Sequence, residues 1–246
     1  MDKSISDRRD IARFFWPFDG DSAQRFYADN GFAIFRGVMF PSVCDWANAK
    51  FRAAAESDFS PILNYDREDL RIQAVVMRNR MAVEIIEHLT GTEMVGCQTY
   101  MLFKEPGTRY AAQAWSPHQD NSYPQAEPGA YLAVAISLCD QDADSGGLFV
   151  YPGTHKLGML PFEPRVSYRE KENERPGNLC QVPPGYDKID ITLSKGDVIV
   201  FDGDLVHGSY ANTSEKPRPM VITNYLKKGA GMIEGATAKR MRIPLR

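Results

Sequence analysis

From Met94 onward the chain breaks into short apolar segments separated by clusters of Gly, Pro, Asn and Asp, and this rhythm limits its fold more than any other feature. Runs rich in Val, Ile, Tyr, Phe and Thr, bounded by turn formers, read as strands. The segments 94–104, 114–119, 130–139, 147–151, 189–193, 197–201, 206–211 and 218–227 fit that description. So many short strands close on one another to protect their edges. The expected fold is mainly β with flanking helices, built on a double-stranded β-helix (jelly-roll, cupin-like) core.

The first part of the chain follows helical periods instead. Residues 21–29 read as a short helix stopped by Asn30-Gly31, 32–38 as a strand, and 41–56 as a helix whose Pro41 suits a first turn. Apolar residues from Ile72 to Leu89 recur at helical spacing, so a single helix is expected over 69–89, with His88 at its carboxyl end as a structural residue. These spans define one domain over 1–246, in which a helical part, 1–92, packs on a barrel spanning 93–228. Within the barrel, 161–188 interrupts the strands with five prolines and the charged run Arg169 to Arg175. A connection this long reads as a substrate-covering lid, against a solvated insertion. The basic stretch 239–246 reads as a frayed tail.

Of the 246 residues 43% are apolar and 25% charged, enough for one sizeable core. A net charge of -3 without a basic run argues against a nucleic-acid partner, and no apolar run approaches a membrane span. A small-molecule substrate fits better. The opening residues lack the apolar stretch of a secretory signal, and Cys44, Cys97, Cys139 and Cys180 are too scattered for a disulfide frame or zinc site. A cytoplasmic setting with reduced thiols is expected. Nothing in the sequence speaks to oligomeric state.

Two residue patterns carry chemistry. In Trp115-Ser116-Pro117-His118-Gln119-Asp120 the imidazole and the carboxylate stand two apart, so in extended backbone both point to one face. His207, far down the chain, completes two nitrogens and one oxygen, the set that binds non-haem Fe(II) with open coordination positions. If 206–218 is a hairpin with its tip between Thr213 and Ser214, counting places Ser209 opposite Arg218. A guanidinium beside such a site suits the far carboxylate of a dicarboxylic acid.

In these motifs the chain resembles the phytanoyl-CoA dioxygenase family of Fe(II)/2-oxoglutarate-dependent oxygenases. The resemblance rests on His118-Gln119-Asp120, on the glycine-rich segment Gly146-Gly147-Leu148-Phe149-Val150-Tyr151-Pro152-Gly153-Thr154-His155, and on His207-Gly208-Ser209 with Arg218 eleven residues after the histidine. It implies that His118, Asp120 and His207 hold Fe(II), that Arg218 assisted by Ser209 holds 2-oxoglutarate, and that dioxygen is consumed with release of succinate and carbon dioxide. Lys104 and Gln98, of one parity on the 94–104 strand, and Tyr131 stand where relatives place further cosubstrate contacts. No catalytic residue beyond the metal ligands is implied.

In halogenating relatives the position of Asp120 carries a small residue, so its presence implies oxygen chemistry: hydroxylation, desaturation or oxidative ring closure. The short chain, and the absence of a basic cluster for a CoA phosphate beyond Arg165, Arg169 and Lys171, point to natural-product biosynthesis and a polar secondary metabolite. Two other readings stand beside this one. A cupin-like protein could bind metal without turnover; a zinc hydrolase would need a motif such as H-E-x-x-H, which is absent. His155, within Pro152-Gly153-Thr154-His155, reads as a structural turn residue, and Gln119 as pointing away from the two ligands. Asn121, Tyr123 and Trp115 are expected to border the substrate cavity.

Overall fold

A computed structural model describes residues 13–54, 62–108, 110–163, 178–235 and 239–246. The centre of the expected lid, with Arg165, Arg169 and Lys171, lies outside the described residues, as does the end of the helix expected to run to 56.

The described strands are β1 (Arg13–Phe14), β2 (Phe32–Phe35), β3 (Ile62–Leu63), β4 (Met94–Lys104), β5 (Trp115–His118), β6 (Tyr131–Ser137), β7 (Leu148–Val150), β8 (Phe162–Glu163), β9 (Leu179–Cys180), β10 (Ile189–Asp190), β11 (Val198–Asp202), β12 (His207–Ser209), β13 (Arg218–Lys227) and β14 (Ile243–Pro244). They form two sheets. The larger runs β1-β2-β11-β6-β13-β4-β14, with β3 also paired to β4, and the smaller runs β10-β7-β12-β5-β9-β8. Every strand expected from 94 to 227 is present, several trimmed at their ends.

Alternation along each strand of the larger sheet serves two cores at once. Val221 and Tyr225 of β13, with Met101 and Phe103 of β4, face outward against the helices. Met220 and Ile222 of β13 and Leu102 of β4 face inward, onto Leu148 and Val150 of the smaller sheet. Both faces are therefore covered, and β13 is buried from Arg218 to Leu226.

The helices are α1 (Gly20–Asn30), α2 (Pro41–Ala54), α3 (Leu70–Val75) and α4 (Arg80–Thr90). Gly31 caps α1 in the left-handed conformation, its N–H on the Tyr27 carbonyl. The single helix expected over 69–89 is two. Arg78 N reaches back to the Gln73 carbonyl at 2.8 Å, and the Tyr225 hydroxyl donates to the Met77 carbonyl at 2.9 Å. Asn79 then starts α4 by accepting from Ala82 N at 3.1 Å. A tertiary hydrogen bond and a cap outweigh the continuous apolar period. Among the described residues no helix is long and apolar enough to cross a membrane.

Two other expectations are corrected. The segment 206–218 is not a hairpin: β12 pairs with β5 and β7, whereas β13 pairs with β4 and β6, so the chain crosses between sheets. Arg218 lies opposite Lys104, and Ser209 opposite Trp115 and Leu148. Nor is the last stretch a tail. Ile243 and Pro244 pair with Gly96 and Val95 of β4, and Met241 N donates to the Cys97 carbonyl at 3.1 Å.

Candidate metal centre

The smaller sheet brings the three expected ligands together through its register. His207 of β12 lies directly opposite His118, the last residue of β5, and the ring centroids are 4.4 Å apart. Beyond His118, Gln119 stays extended and Asp120 opens a short 3-10 turn. The i, i+2 relation is therefore kept although the strand has ended. Asp120 Oδ1 lies 3.6 Å from Nε2 of each histidine. Two donors each about 2.1 Å from one ion sit at most about 4.2 Å apart, so these separations suit a shared ion.

The second nitrogen of each ring sets the tautomer. His118 Nδ1 lies 2.8 Å from the Ser116 carbonyl and His207 Nδ1 lies 3.0 Å from the Leu205 carbonyl. Each Nδ1 must donate, which leaves both Nε2 lone pairs aimed at the carboxylate. Burial, and then the neighbouring His118, bring His207 down to about 4, against the pull of Asp120. Burial pushes Asp120 up, but His207 and His118 outweigh it and hold the carboxylate below its ordinary range. Asp120 Oδ2 is buried without a hydrogen-bond partner. The three ligand atoms lie within 4.8 Å of one another, a group that could hold a metal ion.

The neighbours of Asp120 tie this turn to the segment that carries His207. Gln119 donates to the Asp204 carbonyl at 2.5 Å and the Gly158 carbonyl at 2.9 Å, and accepts from Leu160 N at 2.7 Å. Asn121 donates to Asp204 Oδ1 at 2.9 Å and accepts from Ala126 N at 2.9 Å. Gln119 thus points away from the ligands, as expected, while Asn121, expected at the cavity, is a clamp. His155 sits in a 3-10 turn with Nε2 3.2 Å from the Ala28 carbonyl, a structural position.

The larger sheet supplies two basic side chains on the side facing the ligands. Arg218 is fully buried, and Nη2 donates to the Gly146 carbonyl at 2.8 Å, while Nε and Nη1 have no hydrogen-bond partner. Burial lowers its pKa. Lys104, its cross-strand neighbour, is also fully buried; Nζ donates to Ser209 Oγ at 3.0 Å and to the Tyr210 carbonyl. Burial and the Arg218 charge bring Lys104 down to about 6. Gly146 makes room for this pair: its φ is +84°, and a Cβ there would meet the Lys104 side chain at 2.8 Å.

Arg218, Lys104 and Ser209 are therefore one cluster. Gln98 and Tyr131 are not part of it. Gln98 stands six residues from Lys104 on β4, roughly 20 Å at the rise of a strand. Tyr131 packs with Cys97, Ala126, Ala130 and Leu226 at that same far end. Burial raises the phenols of Tyr100, Tyr123 and Tyr131, and the charge of Asp120 adds to it in each. Sequence reasoning passed over Tyr110, fully buried and close enough for its oxygen to act on the Arg218 charge. It lies in a stretch without strand or helix periodicity, where sequence pattern carries no orientation.

This geometry has relatives. The family model for phytanoyl-CoA dioxygenase (PhyH) matches residues 27–220, from α1 through the start of β13. The chain belongs to the phytanoyl-CoA dioxygenase family. A phytanoyl-CoA dioxygenase of Arabidopsis thaliana is 32% identical over 124 residues, 49% of this chain and 40% of its own length. The rat peroxisomal phytanoyl-CoA dioxygenase is 21% identical over 82% of this chain and 67% of its own length. The match thus spans about two fifths of the plant relative.

Among solved structures of this fold, the epimerase SnoN, crystallised with Fe3+, alpha ketoglutarate and nogalamycin RO, superposes with a TM-score of 0.73 at 19% identity. It covers 94% of this chain and 96% of its own. EvdO2 from Micromonospora carbonacea var. aurantiaca, complexed with 2-oxoglutarate, gives 0.70 at 16% identity, covering 86% and 92%. Likeness at this identity shows the shared jelly-roll fold.

Proposed function

We propose that this phytanoyl-CoA dioxygenase family member is an Fe(II)- and 2-oxoglutarate-dependent oxygenase. It oxidises a C–H bond of a small metabolite, by hydroxylation or oxidative ring closure, in natural-product biosynthesis. The observation that carries the reading is the buried Arg218, with two unpartnered nitrogens, beside Lys104 and on the same side of the sheet as three converging lone-pair donors.

His118, Asp120 and His207 would hold the ferrous ion. When bound, Fe(II) with 2-oxoglutarate and dioxygen supplies the oxidising power to remove a substrate hydrogen, with succinate and carbon dioxide as co-products. The chain's own part is placement. The Nδ1 bonds of both histidines to carbonyls keep their Nε2 atoms unprotonated and aimed. Arg218 offers a planar guanidinium to the far carboxylate of the diacid, with Ser209 Oγ and Lys104 Nζ beside it. A guanidinium buried without a counter-charge costs several kcal/mol, so an anion arriving there gains what burial lost. The alternating apolar floor of Leu102, Met220 and Ile222 keeps water from this end.

The resemblance of the fold to SnoN, an epimerase from nogalamycin biosynthesis, supports natural-product tailoring as the setting. Protein mixed anaerobically with Fe(II) and 2-oxoglutarate is expected to develop a weak visible charge-transfer band, and His207→Ala is expected to lose it. A band unchanged in that variant would remove the ligand assignment. Aerobic formation of succinate separates turnover from silent metal binding.

A further inference from the structure

We propose that Asn121 and Asp204 are positioning residues for the metal centre, and that the hydrogen bond between them holds the Asp120 carboxylate within reach of the two histidines; this rests on the Fe(II) reading above. The three donors are not held alike. His118 and His207 are cross-strand neighbours, and each ring is fixed by a backbone carbonyl. Asp120 lies past the end of β5, in a 3-10 turn. Its Oδ1 faces the two Nε2 atoms at 3.6 Å, and its Oδ2 is buried with no hydrogen-bond partner. Apart from the two imidazoles, then, no side chain among the described residues orients this carboxylate, and its place comes from the residues on either side.

Both of those neighbours are tied to one short segment, Gly203-Asp204, that leads into His207. Asn121 N donates to the Gly203 carbonyl at 2.8 Å, Asn121 Nδ2 donates to Asp204 Oδ1 at 2.9 Å, and Gln119 Nε2 donates to the Asp204 carbonyl at 2.5 Å. Gly203 permits the approach, since a Cβ there would lie 2.6 Å from the Tyr131 carbonyl and 3.2 Å from Asn121 Cβ. Asp204 is itself fixed, its N–H donating to Asp202 Oδ1 at 2.8 Å. His207 stands three residues further on, with Nδ1 at the Leu205 carbonyl. Asp120 and His207 therefore share one anchor.

The polarity of the central bond is determined. Asn121 Oδ1 accepts from Ala126 N at 2.9 Å, and a backbone N–H can only donate, so the amide nitrogen is the end that meets Asp204 Oδ1 and, at 3.1 Å, the Ala126 carbonyl. Asn121 is 2% exposed and Asp204 1%, so water does not replace a lost partner. A carboxylate at 121 would set acceptor against acceptor and bury two like charges together. Exchanging the two residues instead reverses the bond and leaves Ala126 N its acceptor.

The test compares the unaltered protein with Asn121→Asp, Asp204→Asn and the double exchange. Fe(II) affinity is measured by equilibrium dialysis under nitrogen, well below the Tm of every variant, and the charge-transfer band is recorded after 2-oxoglutarate is added. Asn121→Asp is expected to weaken Fe(II) binding by about ten- to one-hundred-fold, the scale found for residues that orient a metal ligand. Asp204→Asn, which keeps an acceptor, should weaken it less, and the double exchange should recover most of the affinity together with the band. Should Asn121→Asp fail to fold, Asn121→Ala carries the same expectation. The proposal is overturned if the variant at 121 binds Fe(II) as tightly as the unaltered protein, or if the double exchange binds no better than Asn121→Asp. A lower Tm with unchanged affinity would assign the bond to folding alone and also overturn it. Absence of Fe(II) binding in the unaltered protein instead defeats the ligand assignment itself.

Discussion

The two sheets divide the labour of the site. The smaller sheet is made of strands two to four residues long and contributes lone pairs: His118 and His207 on adjacent strands, and Asp120 on the turn that follows. The larger sheet has strands of up to eleven residues, backed by helices, and contributes Lys104 and Arg218. Short strands with backbone-anchored imidazoles suit a fixed metal geometry, because each ring is locked by a carbonyl two residues earlier. Long, doubly covered strands hold Arg218 and Lys104 out of water, which suits the anion site proposed for them. The convergence of the three donors thus depends on local register, whereas the burial of the two basic groups depends on the bulk of the fold.

The contrast is broken most directly at Arg218. Replacing it with Ala should weaken 2-oxoglutarate binding by about 100-fold, the scale of a lost buried charge partner, while Fe(II) alone binds as before. Calorimetry on both ligands checks this; equal loss for metal and cosubstrate would mean that the sheets do not act separately.

Lys104 sharpens it through pH. With its pKa brought to about 6 by burial and Arg218, the free protein holds Lys104 mostly neutral above that value. An arriving carboxylate raises the pKa, so binding takes up a proton, and affinity for 2-oxoglutarate should fall by about ten-fold between pH 6 and 8. Heats of binding at pH 7.5 should differ between buffers of different ionisation enthalpy, and the difference should vanish in Lys104→Met.

On the smaller sheet, Gly208 sits between the partner strands, and a Cβ there would lie 2.5 Å from the Trp115 carbonyl and closer still to the Phe149 ring. Gly208→Ala should lower stability by about 2 kcal/mol, a fall in Tm of roughly 4–8 °C, and loosen Fe(II) binding through His207. Thermal melts with and without Fe(II) test both parts.

The smallest effect is expected behind the larger sheet. Asp66 is fully buried, neither carboxylate oxygen has a hydrogen-bond partner, and burial raises its pKa against the Arg67 charge. An acid raised in the folded state costs stability as pH climbs from its unfolded value through its folded one. Asp66→Asn should therefore raise Tm by about 2–4 °C at pH 7, with the gain disappearing in acid. A gain that persists at low pH would assign it to packing.

Strand positions were readable because alternation and turn residues are local: β4 and β13 run from Met94 to Lys104 and from Arg218 to Lys227, the limits the pattern predicts. His118 and Asp120 were readable as a candidate pair for a similar reason, since residue types at short spacing restrict what chemistry they can do, and the fold brings His207 to them. The break at Met77 to Asn79 was not, because it is made by Tyr225, 148 residues away. Nor was the pairing of Arg218, which counting along 206–218 set against Ser209 and the fold sets against Lys104.

Alone, then, the amino-acid sequence determined which segments become strands, which three side chains can ligate, and that a guanidinium accompanies them. Tertiary structure decided which strands become neighbours, and through them the buried pair of Arg218 and Lys104 on the inner face of the larger sheet. The physical reason is range: backbone preference and side-chain period act over a few residues, whereas burial of a charge is a property of everything packed around it.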